Sequence, residues 1–184
     1  MLVLFILLPH PVIRAVYTSS LQQNFLAELH VELASTRRVL ERVPFEQADF
    51  KPHPKSMTLW QLATHVVNLL AFKTLFVTHD SRDFLDPNAP KPGPTPTSHA
   101  ELLARFEEYS AILQKELQES NDEHLTQTFK LHRGEQVIFE RPKGTAIRIM
   151  GLNHSIHHRG QLTVYLRLLD IPVPGLYGPS ADDK

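Results

Sequence analysis

His154 and His158 stand four residues apart in the run Asn153-His154-Ser155-Ile156-His157-His158-Arg159-Gly160-Gln161, which holds three of the eleven histidines of the chain. The run lies inside a segment of helical periodicity, Thr145 to Leu169. An α-helix turns about 100° per residue, so residues i and i+4 share a face one turn apart. Two neutral imidazoles placed this way can chelate one divalent metal ion. The alternative is two core histidines, each with its own hydrogen bond. That is harder for a pair, because both rings must find partners in an apolar interior. On a wheel centred on His154, Ile147, Met150, Tyr165 and Leu168 fall within roughly 40°. This wheel puts His154 in the middle of a buried stripe with His158 beside it. It turns Arg148, Arg159 and Arg167 outward, Arg159 as an external salt-bridge residue. His157 lies about 60° round the other way, facing a neighbouring helix or a dimer partner.

A third ligand is needed, and His65 is the candidate. The spacing predicts a helix from Thr58 to about His79, on which Leu62, Leu69, Phe72 and Phe76 lie within about 60° of His65. Alone, His65 reads as a satisfied core histidine. Beside the pair it makes three inward imidazoles from two helices, the number that a three-ligand centre requires. Three neutral ligands leave the ion its full charge and an open position, as in catalytic zinc sites. Such an ion lowers the pKa of a bound water toward about 7, which supports hydrolysis, or holds a thiolate at neutral pH, which supports thiol transfer. Gln61, Asn68 and Gln161 lie near enough on their wheels to touch the site or its surroundings, although a structural role is the simpler account of each. No residue declares itself as the general base. Zinc or nickel is expected first, and manganese or iron also accept imidazole.

The elements that must position these residues are helices. Ser19 or Ser20 can cap one that runs to about Val43, with Leu21, Phe25, Leu29, Leu33, Thr36 and Leu40 as its core stripe. His30, between Glu28 and Glu32, belongs to a solvated face. Residues 45–56 are a connector. Ser81 to Thr97 carries five prolines and reads as an extended surface loop. Ser98 with Glu101 forms a capping box for a third helix to about Ser120. Thr126–Leu131 and Gln136–Glu140 flank Arg133-Gly134 as a short hairpin. Thr145 then caps the histidine-bearing helix, which Asp170 and Pro172 stop. Gly160 is expected to permit close helix approach. Four long amphipathic helices predict an all-α four-helix bundle, whose facing helices can build metal sites from inward side chains.

Composition narrows the function. At 184 residues the chain suits one domain. The net charge of −1 gives no case for nucleic acid or an anionic membrane. The absence of cysteine excludes disulfides, zinc fingers and a thiol nucleophile, and suits a cytoplasmic protein. Met1 to Leu8 is almost wholly apolar but too short for a bilayer span of about 20 residues. No basic residue precedes it and no clear cleavage site follows, so it is expected to be an N-terminal extension, residues 1–16, with a membrane anchor as the lesser alternative.

The order of these motifs resembles the DinB/YfiT-like superfamily of proposed metalloenzymes. The matching parts are Leu59-Trp60-Gln61-Leu62-Ala63-Thr64-His65 and Asn153 to Leu162, with the second the more specific. The resemblance implies a DinB-like domain over residues 17–184 with up-down-down-up topology. It also implies one divalent metal ion on His65, His154 and His158, and usually a homodimer. Characterised relatives include transferases and isomerases that use low-molecular-weight thiols such as bacillithiol, mycothiol or glutathione. The resemblance thus implies a thiol-dependent transferase or a hydrolase acting on a small electrophile. The alternative is a non-catalytic metal-binding or stress-associated bundle. The apolar N-terminal segment and the Pro-rich loop depart from many members.

Overall fold

A computed structural model describes residues 19–183. The expectations for residues 1–16 lie outside them. Helix α1 spans Leu21–Leu40 and α2 spans Leu59–Thr78, each opened by a reciprocal capping box, Ser20 with Gln23 and Thr58 with Gln61. Each box satisfies backbone amides that a helix start leaves without partners. Gln61 is therefore committed to the cap and not to the candidate site. Helix α3, His99–Glu119, is capped by Ser98. Its Glu101 carboxylate accepts from the Thr97 backbone and hydroxyl instead of closing the expected box. On α1 the predicted stripe is buried except for Leu21, and His30 is exposed as expected.

Three side-chain contacts fix the helix directions. Trp60, at the start of α2, donates to the carbonyl of Pro96 just before α3, so α2 and α3 run the same way. Gln22, at the start of α1, donates to the carbonyls of Leu117, Gln118 and Ser120 at the end of α3, so these two run oppositely. Tyr165, late in the last helix, donates to Met57 O just before α2. The last helix therefore opposes α2 and runs with α1. The result is the up-down-down-up bundle. Consecutive α1 and α2 stand diagonally, each beside α3 and the last helix.

Between α3 and the last helix, Asp122–Thr126 forms a short helix, α4, which sequence periodicity did not indicate. The expected hairpin follows as β2 (Thr128–Arg133) and β3 (Gln136–Pro142), with Gly134 at φ +62 in its turn. Ser81–Asp83 adds β1, parallel to β2, giving the order β1-β2-β3. The Pro-rich stretch thus begins as a strand before it runs irregularly, and Ala89 and Pro96 in it are buried.

The last helix departs most from expectation. It starts with α5 (Lys143–Ala146) after Pro142, without a Thr145 cap, passes through a π-helical segment (Ile147–Asn153) and continues as α6 (His154–Leu168). Its buried positions in α6 are Ser155, Arg159, Leu162, Tyr165 and Leu166. Leu168, expected inside, is 56% exposed. A π turn uses more residues than an α turn, so rotation per residue is smaller. Uniform α geometry therefore misaligns Ile147 with His154. Through the π segment Ile147 comes into line with Arg159 and Leu166. The stripe of α6 is consequently centred on Ser155, Arg159, Leu162 and Leu166, and the histidines lie at its edge. Close approach is permitted by Gly151 and not by Gly160. A Cβ on Gly151 would meet the Lys73 stem of α2 at 2.8 Å, whereas a Cβ on Gly160 would meet nothing.

Candidate metal centre

The edge of α6 that carries His154 and His158 faces α2, and His65 on α2 meets it. Ring centroids are 4.5 Å apart for His65–His158, 5.4 Å for His65–His154 and 4.7 Å for His154–His158. One nitrogen from each of the three rings lies within 4.8 Å of the other two. All three side chains are half-buried. The structure thus brings together the three residues that the sequence singles out. No aspartate or glutamate joins this cluster among the described residues.

The donor set fits a cation. His158 donates its Nδ1 proton to Gln161 Oε1 at 2.8 Å, which leaves a lone pair on Nε2. That Nε2 lies 2.9 Å from Nε2 of His154. Two nitrogens on one zinc ion, at bonds of about 2.0–2.1 Å, come to lie roughly 3 Å apart, so the spacing suits a shared ion. Burial, followed by the charges of His158 and His154, pushes the His65 ring down to about 4. Burial also lowers His154 and His158, opposed at His158 by the Gln161 hydrogen bond and at His154 by one with the Met150 backbone. At neutral pH all three rings therefore favour the uncharged form that binds metal. His157 is exposed, with its ring 4.8 Å from that of His158.

Beside His158 opens a cavity of about 430 Å³. Lys55, Ser56 and Gln161 give it polar groups, and Met57, Leu62 and Tyr165 give it apolar wall. A small molecule can reach the centre from this side.

Arg159 overturns the expectation of an external ion pair. It is 1% exposed. Its guanidinium pairs with Glu32 at 2.7 Å and donates to Glu32 O, Thr36 Oγ1 and Tyr177 OH. Tyr177 in turn donates to the Glu32 carboxylate. The network ties α6 to α1 and to the C-terminal tail. Lys73, also missed, is buried on α2, where burial and then Arg159 push its amine down to about 7, against the opposing charge of Glu32. Its place among core positions, between Leu69 and Phe76, was a signal available in the sequence. Asn68 makes no hydrogen bond to the three histidines. Its Oδ1 is buried without a partner in a different cavity.

Comparison with known proteins agrees with this fold. The uncharacterized protein YrdA of Bacillus subtilis (strain 168) is 27% identical over 161 residues, 87% of this chain and 90% of that protein. A DinB-like protein of Bacillus cereus ATCC 10987 superimposes with a TM-score of 0.64 at 25% identity, covering 84% of this chain and 97% of its own. YfiT from Bacillus subtilis, described as a probable metal-dependent hydrolase with an unusual four-helix bundle topology, shares the fold at a TM-score of 0.55 and 16% identity, over 81% of this chain and 87% of its own. None of the helices among the described residues is long and apolar enough to cross a membrane. The DinB family model matches residues 18–184, and the chain belongs to the DinB family.

Proposed function

We propose that the protein is a metal-dependent enzyme that transfers a low-molecular-weight thiol to a small electrophile, with His65, His154 and His158 holding one divalent ion, zinc or nickel. The observation that carries this reading is the convergence of three uncharged imidazoles, one fixed in its metal-binding tautomer by Gln161, at the edge of an accessible cavity. An ion held there supplies a positive charge that favours a thiolate, or a deprotonated water, at neutral pH. Thiol transfer is favoured over hydrolysis by the lack of a carboxylate in the cluster. Attack by water gains from a general base, whereas a thiolate already formed needs none. In the transfer, sulfur bonds to the electrophilic carbon as the leaving group departs with its electron pair, and the thiol proton passes to solvent. The apolar walls of Met57, Leu62 and Tyr165 hold the electrophile and exclude water.

Hydrolysis is the second reading, supported by the fold shared with YfiT. The same proposal sets the protein in the cytoplasm as a homodimer. Support for the dimer is the exposed line of His157, Gln161, Val164 and Leu168 on α6, spaced as a helix-pairing seam. The test is a rate assay with zinc- or nickel-loaded protein. Glutathione with 1-chloro-2,4-dinitrobenzene reports transfer, and 4-nitrophenyl acetate reports hydrolysis. A transfer rate that a chelator removes and added metal restores is expected. Ester cleavage alone favours hydrolysis, and no metal-dependent rate in either assay leaves a non-catalytic metal-binding bundle.

A further inference from the structure

A second cavity, of about 220 Å³, lies beneath the Pro-rich segment that follows β1. Phe72 and Leu75 of α2 wall it on one side, and Phe84 and Pro92 of the loop on the other. Arg82, Lys91 and Asn68 also line it. Nε and Nη1 of Arg82 are sealed from solvent and have no acceptor, and Asn68 Oδ1 is sealed without a donor. The neighbouring Asp83 attracts Arg82 at longer range but makes no direct ion pair with it. Asp83 Oδ1 accepts from the backbone N–H groups of Leu85 and Gly134, both at 2.9 Å. A guanidinium whose N–H groups are buried without partners is costly, and the cost falls when an anion meets it.

We propose that this cavity binds a small amphipathic carboxylate, its chain or ring against Phe72, Leu75 and Phe84 and its carboxylate on Arg82. Lys91 adds a second positive charge at the rim. Asn68 adds its amide NH2, which is not among the sealed atoms, to the same wall. A planar guanidinium fork matches a carboxylate in shape as well as charge. Asn68 stands one helical turn beyond His65, so the bound anion lies alongside the metal centre on α2. Occupancy needs no metal, and the proposal therefore stands or falls apart from the enzymatic reading.

The experiment is calorimetric titration of the full chain with hexanoate, hexyl phosphate and hexanol. Hexanoate is expected to bind at one site and hexanol not to bind. Arg82→Met should weaken hexanoate by about tenfold or more, the worth of one charged hydrogen bond. It should leave the melting temperature of the ligand-free protein equal or higher, because the unpaired cation is gone. The His65→Ala, His154→Ala, His158→Ala variant should bind hexanoate as the unaltered chain does. Equal binding of hexanoate and hexanol, tighter binding of hexyl phosphate, undiminished binding by Arg82→Met, or no hexanoate binding would each overturn the proposal. Should Arg82→Met not fold, Ala71, which also lines the cavity on α2, can be replaced by Phe to fill it, and hexanoate binding that survives Ala71→Phe overturns the proposal equally.

Discussion

Helix α6 carries one polar cluster toward α2 and another toward α1. Toward α2 stand His154 and His158 with His65, three bases supported by Gln161 at His158 and by the Met150 backbone at His154. Toward α1 stands Arg159, a cation at the centre of the core stripe, with Glu32, Thr36 and Tyr177 arranged round it. The arginine cluster is nearly closed, since Nη1 and Nη2 of Arg159 meet Glu32, Thr36 and Tyr177 inside it and Nε alone is buried without a partner. The histidine cluster is open, since its nitrogens converge on one another and, among the described residues, no carboxylate meets them. Buried polar groups that satisfy each other hold a fold together. Groups that converge unsatisfied beside a cavity await a ligand.

This difference predicts different consequences for neighbouring substitutions. Arg159→Ala should cost about 3–5 kcal/mol in urea unfolding, because it takes the cation from the largely buried Glu32 carboxylate, while the folded fraction should bind metal as before. A loss under about 1 kcal/mol would show that the closed cluster is not structural. Gln161→Ala should do the reverse. It should leave unfolding nearly unchanged and lower metal affinity by about 10–100-fold, as measured by competition with a chromophoric chelator. Unchanged affinity would remove Gln161 from the site.

The distinction was only half legible in the sequence. The three clustered histidines could be read because their signal is local, an i, i+4 pair and one histidine on an apolar face. The caps at Ser20, Thr58 and Ser98 and the turn at Gly134 were legible for the same reason. Arg159 was not, because its partners Glu32 and Thr36 lie more than 120 positions away. The wheel that turned it outward also assumed α geometry through Ile147–Asn153, where the chain is π-helical. Strand β1 escaped notice because three residues beside a Pro-rich run carry no periodicity, and only pairing with β2 makes them a strand.

A smaller effect separates the clusters by pH. The unfolded chain protonates its histidines near pH 6.5, whereas native His65 resists protonation down to about 4. Between these values the unfolded state binds more protons. The stability of metal-free protein should therefore fall as pH drops from about 6.5 to 4, and above about 7 the depressed Lys73 amine should make it rise further with pH. His65→Leu should flatten this slope in denaturant titrations at pH 5 and 7, and a slope unchanged in the variant would place its origin elsewhere. The smallest effect belongs to His157→Ala. This exposed ring should be removable with metal content unaltered, and an emptied site would mean that His157 is a ligand in place of one of its neighbours.

The most direct test of the open cluster is elemental analysis of protein purified without a histidine tag, beside the His65→Ala, His154→Ala, His158→Ala variant. About one divalent ion per chain, absent from a variant that still folds, is the predicted result. No metal in the unaltered chain after incubation with zinc or nickel, or equal metal in both proteins, would contradict a three-histidine centre.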